Sequence, residues 1–206
     1  MKKILIIALL SSSFYANAQG FEASKKSNTQ NAVTVCSPFY FGLSMGINNP
    51  HGLLGFNFEM PVSHQFTFSP GIGISSWGTK FGGMIKYYTK PCCMGWAYGM
   101  GVTYNKGIKS AELKDVEVLT PTGTIKTNVK LRMLSQTNIS LNAYKYWRIK
   151  NNSRFFIHAG LSFGMNQDKF DVTSGHKLSE ASNLQIKMLS PGGLSLGLGF
   201  QFGTKY

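Results

Sequence analysis

The chain has 206 residues, a formal charge of +13, 43% hydrophobic residues and only 14% charged ones, with 23 glycines and 13% aromatics. That length suits a single domain, and nothing beyond the N-terminus approaches the roughly 20 apolar residues of a membrane-spanning helix. Sustained apolar spacing at i, i+3, i+4 and i+7 is also missing, so almost no helix is expected and helix-based folds are excluded.

The N-terminus reads as an export signal. Lys2 and Lys3 precede an unbroken apolar run, Ile4 to Leu10, which Ser11, Ser12 and Ser13 interrupt before Ala16-Asn17-Ala18. A positive segment, a short apolar core and small residues at alternate positions make a cleavable secretory signal over residues 1–18. No cysteine follows the apolar run closely, so a lipoprotein anchor is not expected. Residues 19–37 are polar and form a loose periplasmic lead into a barrel spanning 38–206.

From there the apolar residues alternate with small or polar ones, the period of a strand with one greasy face. The first strand, about 39–47, sets Phe39, Phe41, Leu43, Met45 and Ile47 against Tyr40, Gly42, Ser44 and Gly46. Asn48 to Gly52 is a turn by composition. The second strand, about 53–60, directs Leu54, Phe56, Phe58 and Met60 outward and Gly55, Asn57 and Glu59 inward. After a turn at 61–65, the third strand puts Phe66, Phe68, Ile72 and Ile74 outward; Pro70 lacks a backbone donor and predicts a bulge or a break in pairing.

Residues 75–80 read as a loop, and the fourth strand, about 81–89, shows the weakest alternation, Ile85 and Tyr87 against Met84, Lys86 and Tyr88. Lys90 to Cys93 turns the chain into a fifth strand with Trp96, Tyr98, Met100, Val102 and Tyr104 on one face. The sixth, about 135–147, places Asn138, Ser140, Asn142 and Tyr144 inward, with Ile139, Leu141 and Ala143 outward. The seventh puts Phe155, Ile157, Ala159, Leu161 and Phe163 outward and His158, Gly160 and Ser162 inward. In the eighth, Leu194, Leu196, Leu198, Phe200 and Phe202 share one parity with the terminal Tyr206.

Eight strands of about ten residues fit a tilted transmembrane strand, and an even count closes the sheet with both termini on one side. The fold class expected is therefore all-β: an eight-stranded antiparallel up-and-down transmembrane β-barrel. Connections 61–65, 90–93 and 148–153 are short, whereas 105–127 and 166–192 are long. Short periplasmic turns and long outer loops are the usual asymmetry. Phe39, Phe66, Tyr87, Trp96, Trp147, Phe155 and Tyr206 fall near the periplasmic ends, as an interfacial girdle would. Residues 116–126, broken by Pro121-Thr122-Gly123, look like a hairpin tip, so the fifth and sixth strands are expected to continue outward as a ribbon. A soluble barrel is the rival fold, but it needs its large apolar residues inside, where this parity puts Gly and Ser.

These features resemble the small outer-membrane β-barrel proteins, porin-like or of the OmpX and OmpA type, common in Bacteroidota. The final strand, ending on an aromatic, is similar to those that the outer-membrane assembly machinery reads; Thr204 departs from that pattern. The resemblance implies an outer-membrane location and contact with outer-membrane lipids, including lipopolysaccharide. For an exported chain, anionic surfaces such as lipopolysaccharide phosphates are the expected partners of the positive charge, and nucleic acid is not.

Chemistry is sparse. Glu59, Lys86, Arg132, Asn138, Asn142 and His158 are the lumen-facing polar candidates. A small barrel fills its interior with side chains, and buried charges must pair, so a Glu59–Lys86 or Glu59–Arg132 ion pair is expected. The same crowding argues against a wide channel, since aqueous porins have about 16 strands or more. His158 and Ser162 are roughly 13 Å apart along one strand, too far for a nucleophile and its base, and the compact His-x-Ser-Asn pattern of lipid A deacylases is missing. His51, His64 and His176 fall in turns or loops, where solvated histidines are the default. Cys36 and the Cys92-Cys93 pair share a side, so one disulfide between them is an option; no zinc-like spacing accompanies them. No catalytic, metal or cofactor site is expected. The functional readings are a non-enzymatic envelope or surface-binding protein acting through its outer loops, a narrow solute channel, and a lipid A-modifying enzyme.

Overall fold

The period-two pattern is realised as a closed sheet. The computed structural model describes residues 37–90, 93–121, 123–149, 152–175 and 177–204. The expected signal peptide, nearly all of the polar lead at 19–37, Cys36, Cys92, His176 and Tyr206 lie outside the described residues.

In chain order the strands are β1 (Tyr40–Ile47), β2 (Leu54–Pro61), β3 (Phe66–Ser75), β4 (Gly78–Lys90), β5 (Met94–Asn105), β6 (Ile108–Thr120), β7 (Gly123–Met133), β8 (Gln136–Arg148), β9 (Arg154–Gly164), β10 (Phe170–Val172), β11 (Lys177–Leu178) and β12 (Gly193–Gly203). Eight of them close a barrel in the order β1-β12-β9-β8-β5-β4-β3-β2, all neighbours antiparallel. The seam joins the first strand to the last, from Tyr40 opposite Gly203 to Ile47 opposite Leu196. Closure removes every free edge of this sheet.

Burial follows the parity. Large apolar side chains on the outer wall stay exposed, among them Phe56 at 60%, Met100 at 60% and Leu194 at 59%. A continuous apolar belt of that kind is far beyond what a water-facing surface carries and marks a non-aqueous environment. Opposite Pro70 the β2–β3 ladder skips Phe58 and Glu59 while keeping one register on either side. The missing proline N–H therefore costs pairing and does not produce a bulge.

Two expectations change, and one element is extended. The 75–80 segment is not a loop: β4 begins at Gly78, and the turn is reduced to Ser76 and Trp77. The expected hairpin ribbon is present as β6 and β7, and the second long connection adds β10 and β11 at its flanks in the order β10-β7-β6-β11. The helix expected to be missing exists as α1 (Glu180–Leu189). Ser179 caps its start by accepting from the Ser182 N–H, and the Ser190 N–H closes its end on the Lys187 carbonyl, which satisfies groups that a helix terminus leaves open. Only Ser182 and Ile186 of α1 are buried, so its apolar stripe is too narrow to stand out in the sequence.

The result is a barrel with two unlike ends. At one lie the short connections from β2 to β3, from β4 to β5 and from β8 to β9. At the other lie the 48–53 loop, the two-residue turn and the four-stranded sheet with α1, hereafter the cap. Trp77 joins cap and barrel. It is fully buried among Val118, Val129, Leu131 and Ile186, and its indole N–H donates to the Leu134 carbonyl at 2.9 Å.

Candidate functional site

The lumen divides into two halves of different chemistry. Towards the short turns, β2, β4, β8 and β9 direct Glu59, Lys86, Tyr146 and Arg154 to a common point. Glu59 Oε2 lies 2.8 Å from Lys86 Nζ, and Glu59 Oε1 lies 3.0 Å from the Arg154 guanidinium. The Thr67 hydroxyl donates to Oε1 at 3.0 Å, Tyr88 donates to the same oxygen, and Tyr146 donates to Oε2 at 3.4 Å. Arg154 also donates to Gln201 Oε1 at 2.9 Å and to the Cys93 carbonyl at 2.6 Å. One carboxylate thus faces two cations, and aromatic faces take up part of the excess. The guanidinium lies 3.6 Å from the Tyr40 ring centre, and Lys86 Nζ lies 4.6 Å from that of Tyr144; both are within cation–π reach. Tyr88, Tyr144, Tyr146 and Phe156 complete a filled cross-section.

The half towards the cap is lined by small polar side chains. Asn138, Asn142, Ser140, Ser162 and His158 are buried there. Both nitrogens of His158, and both amide atoms of Asn138 and Asn142, lack a protein partner. Buried polar groups of this kind are ordinarily met by water. Ser140 and Ser162 pair at 3.1 Å, which leaves Ser162 bonded across the ladder and not to His158.

The mouth of this half is closed by the chain itself. His51, expected in a solvated turn, is 2% exposed because the 48–53 loop folds inward. The loop fits because its neighbours have no side chain. A Cβ on Gly55 or Gly73 would stand 2.0 Å from the His51 carbonyl oxygen, and one on Gly71 would stand 2.1 Å from its ring. Asn48 anchors the loop across the seam, donating to the Gly192 and Leu194 carbonyls. Lys80, also unforeseen, is buried beside this loop with no carboxylate partner among the described residues.

The sequence candidates therefore separate. Glu59, Lys86, Asn138, Asn142 and His158 point into the lumen, and only Glu59 and Lys86 touch. Arg132 does not join them. It lies exposed on β7, opposite Asp171 of β10, because the chain has left the barrel wall before this position. Arg154 takes the place assigned to it. Its parity with His158 was the available signal, hidden because Arg154 directly follows a turn. Phe39, Phe66, Tyr87, Trp96, Trp147 and Phe155 lie at or beside the short-turn end and are partly or well exposed, with Phe66 5.2 Å from Tyr87 and Trp147 5.9 Å from Phe155.

Cys93 is a free thiol directly before β5. Burial pushes it up from its ordinary 9.0 to about 11, with Glu59 adding to the effect and Arg154 opposing it. Among the described residues no three His, Cys, Asp or Glu side chains gather as metal ligands would.

No protein-family model matches this chain, and no curated protein sequence does. Among solved structures, it is similar to the N-terminal β-barrel domain of Pseudomonas aeruginosa OprF, with a TM-score of 0.44 and 9% identity over 81% of this chain and 96% of that one.

Proposed function

We propose that the chain is a non-enzymatic outer-membrane protein that binds at the cell surface through its cap. In this reading residues 1–18 export it, the apolar belt sits in lipid, and the assembly machinery receives it by its final strand. The short turns face the periplasm and the cap faces outward. The observation that carries the reading is the contrast between the ends. The lumen is blocked by the Glu59 cluster and its tyrosines, whereas the long connections are built into a sheet and helix with a core of their own. A cap with its own core is more than a pair of flexible loops needs to be, and loops on a rigid scaffold are where binding residues concentrate.

The test replaces residues 108–133 and 167–190 with short turns and measures binding to vesicles carrying lipopolysaccharide. The truncated barrel is expected to fold and to lose binding; binding equal to that of the full chain would reject the cap as the acting part.

A narrow solute channel is the second reading, favoured by the polar half of the lumen. Lys80, Lys86 and Arg154 outnumber Glu59 among the buried lumen charges, so any current across a planar bilayer should prefer anions.

A further inference from the structure

The mouth of the barrel holds a cation without a counter-charge. Lys80 and Lys86 face inward from the same strand, β4, and six residues along a strand span roughly 20 Å. Glu59 answers Lys86 and Arg154 towards the short turns. Lys80 is 1% exposed, and among the described residues no hydrogen bond or ion pair reaches its ammonium. Burying a charge without compensation is costly, so such a group is ordinarily paired.

Lys80 lines a hollow of about 20 Å³, bounded by Asn48 and Gly52 of the inward loop, Ser75 and Ser76 at the end of β3, and Pro191 before β12. The side-chain donors on this wall are already engaged. Ser75 donates to the Gly78 carbonyl at 2.9 Å, Ser76 to the Leu189 carbonyl at 3.2 Å, and Asn48 to the Gly192 and Leu194 carbonyls. The Asn105 amide nitrogen is sealed from accessible space, whereas the Lys80 ammonium is not. Lys80 is therefore the one side-chain donor of this wall open to an occupant. The volume admits a single water-sized body and excludes phosphate, sulfate and carboxylate groups. A water would meet the donor but leave the buried charge uncompensated.

We propose that this hollow binds a single monatomic anion of chloride size on Lys80. Held there, the ion lies between three segments distant in sequence: the 48–53 loop, the end of β3 and the connection from α1 to β12. It thereby locks the loop into the mouth. The inference concerns the barrel and stands whether or not the cap binds lipopolysaccharide.

The experiment uses the full mature chain in detergent micelles. Crystals soaked in sodium bromide should give an anomalous peak within hydrogen-bond reach of Lys80 Nζ, bromide standing in for chloride. In solution, cleavage of the 48–53 loop by a broad-specificity protease is timed in sodium chloride, gluconate and sulfate at one ionic strength, which equalises surface screening. An ion that binds only the closed mouth slows cleavage by the factor 1 + [ion]/Kd. At about 0.2 M chloride, a Kd of about 50 mM gives about fivefold protection over gluconate, and sulfate gives none. Lys80→Met should abolish the difference, while Lys106→Gln, which removes an exposed charge at the same end, should keep it. The bromide peak is read on the unmodified chain, so it decides the matter even if Lys80→Met does not fold. No peak at Lys80 would overturn the proposal, as would equal protection in all three salts or chloride protection that survives in folded Lys80→Met.

Discussion

Glu59 is the residue on which the lower lumen depends, since two buried cations and three hydroxyl groups converge on its carboxylate. Removing one partner of a buried ion pair leaves an uncompensated charge, so Glu59→Gln should destabilise the barrel by about 3–5 kcal/mol, measured by urea unfolding in micelles. Unchanged stability would reject the cluster. The inward placement of Glu59 and Lys86 was legible because strand period alone assigns a side. The guanidinium could not be identified that way, because Arg132 and Arg154 both lie at the margins of sequence segments whose register only the folded ladder sets. Cys93 makes a second prediction. A thiol raised to about 11 keeps its proton at neutral pH, and only the thiolate is nucleophilic. The neutral buried form thus contributes stability below pH 9 that fades as pH rises towards 11. In a Cys36→Ser, Cys92→Ser background, maleimide labelling of the folded protein should be slow at pH 7 and accelerate near pH 11; rapid labelling at pH 7 without unfolding would contradict the buried position.

Among the elements, those with strict alternation were readable and those held by tertiary contacts were not. The eight barrel strands carry their instruction in every second residue. The 48–53 loop does not, because its inward fold depends on space left by Gly55, Gly71 and Gly73 on other strands. Gly71→Val should expel it and expose the loop to cleavage by a broad-specificity protease at rates well above those of the unmodified chain; equal resistance would mean the loop does not need that space. Trp77 was lost inside an apparent loop for the same reason, as its partners are some 40 to 110 residues later in the chain. Trp77→Ala empties the centre of the cap core, and a buried Trp truncation costs about 3–5 kcal/mol. Hydrogen exchange should therefore quicken in β6, β7 and α1 while the barrel ladders stay protected. Quickening spread evenly over both would show that cap and barrel are one cooperative unit.

At the scale of the whole molecule, an apolar outer wall and a polar, tyrosine-plugged interior invert the arrangement of a water-soluble barrel, and this inversion was visible in the parity of the sequence. It makes the lipid-facing barrel the central claim, on which the outward cap depends. The most direct measurement is electrophoretic migration of the membrane-extracted protein in SDS with and without boiling. A transmembrane barrel keeps its closed ladder in SDS until heated, so the unboiled sample should run ahead of the boiled one and the protein should resist alkaline carbonate extraction from membranes. A single band position in both lanes, with the protein released into the carbonate supernatant, would contradict the account.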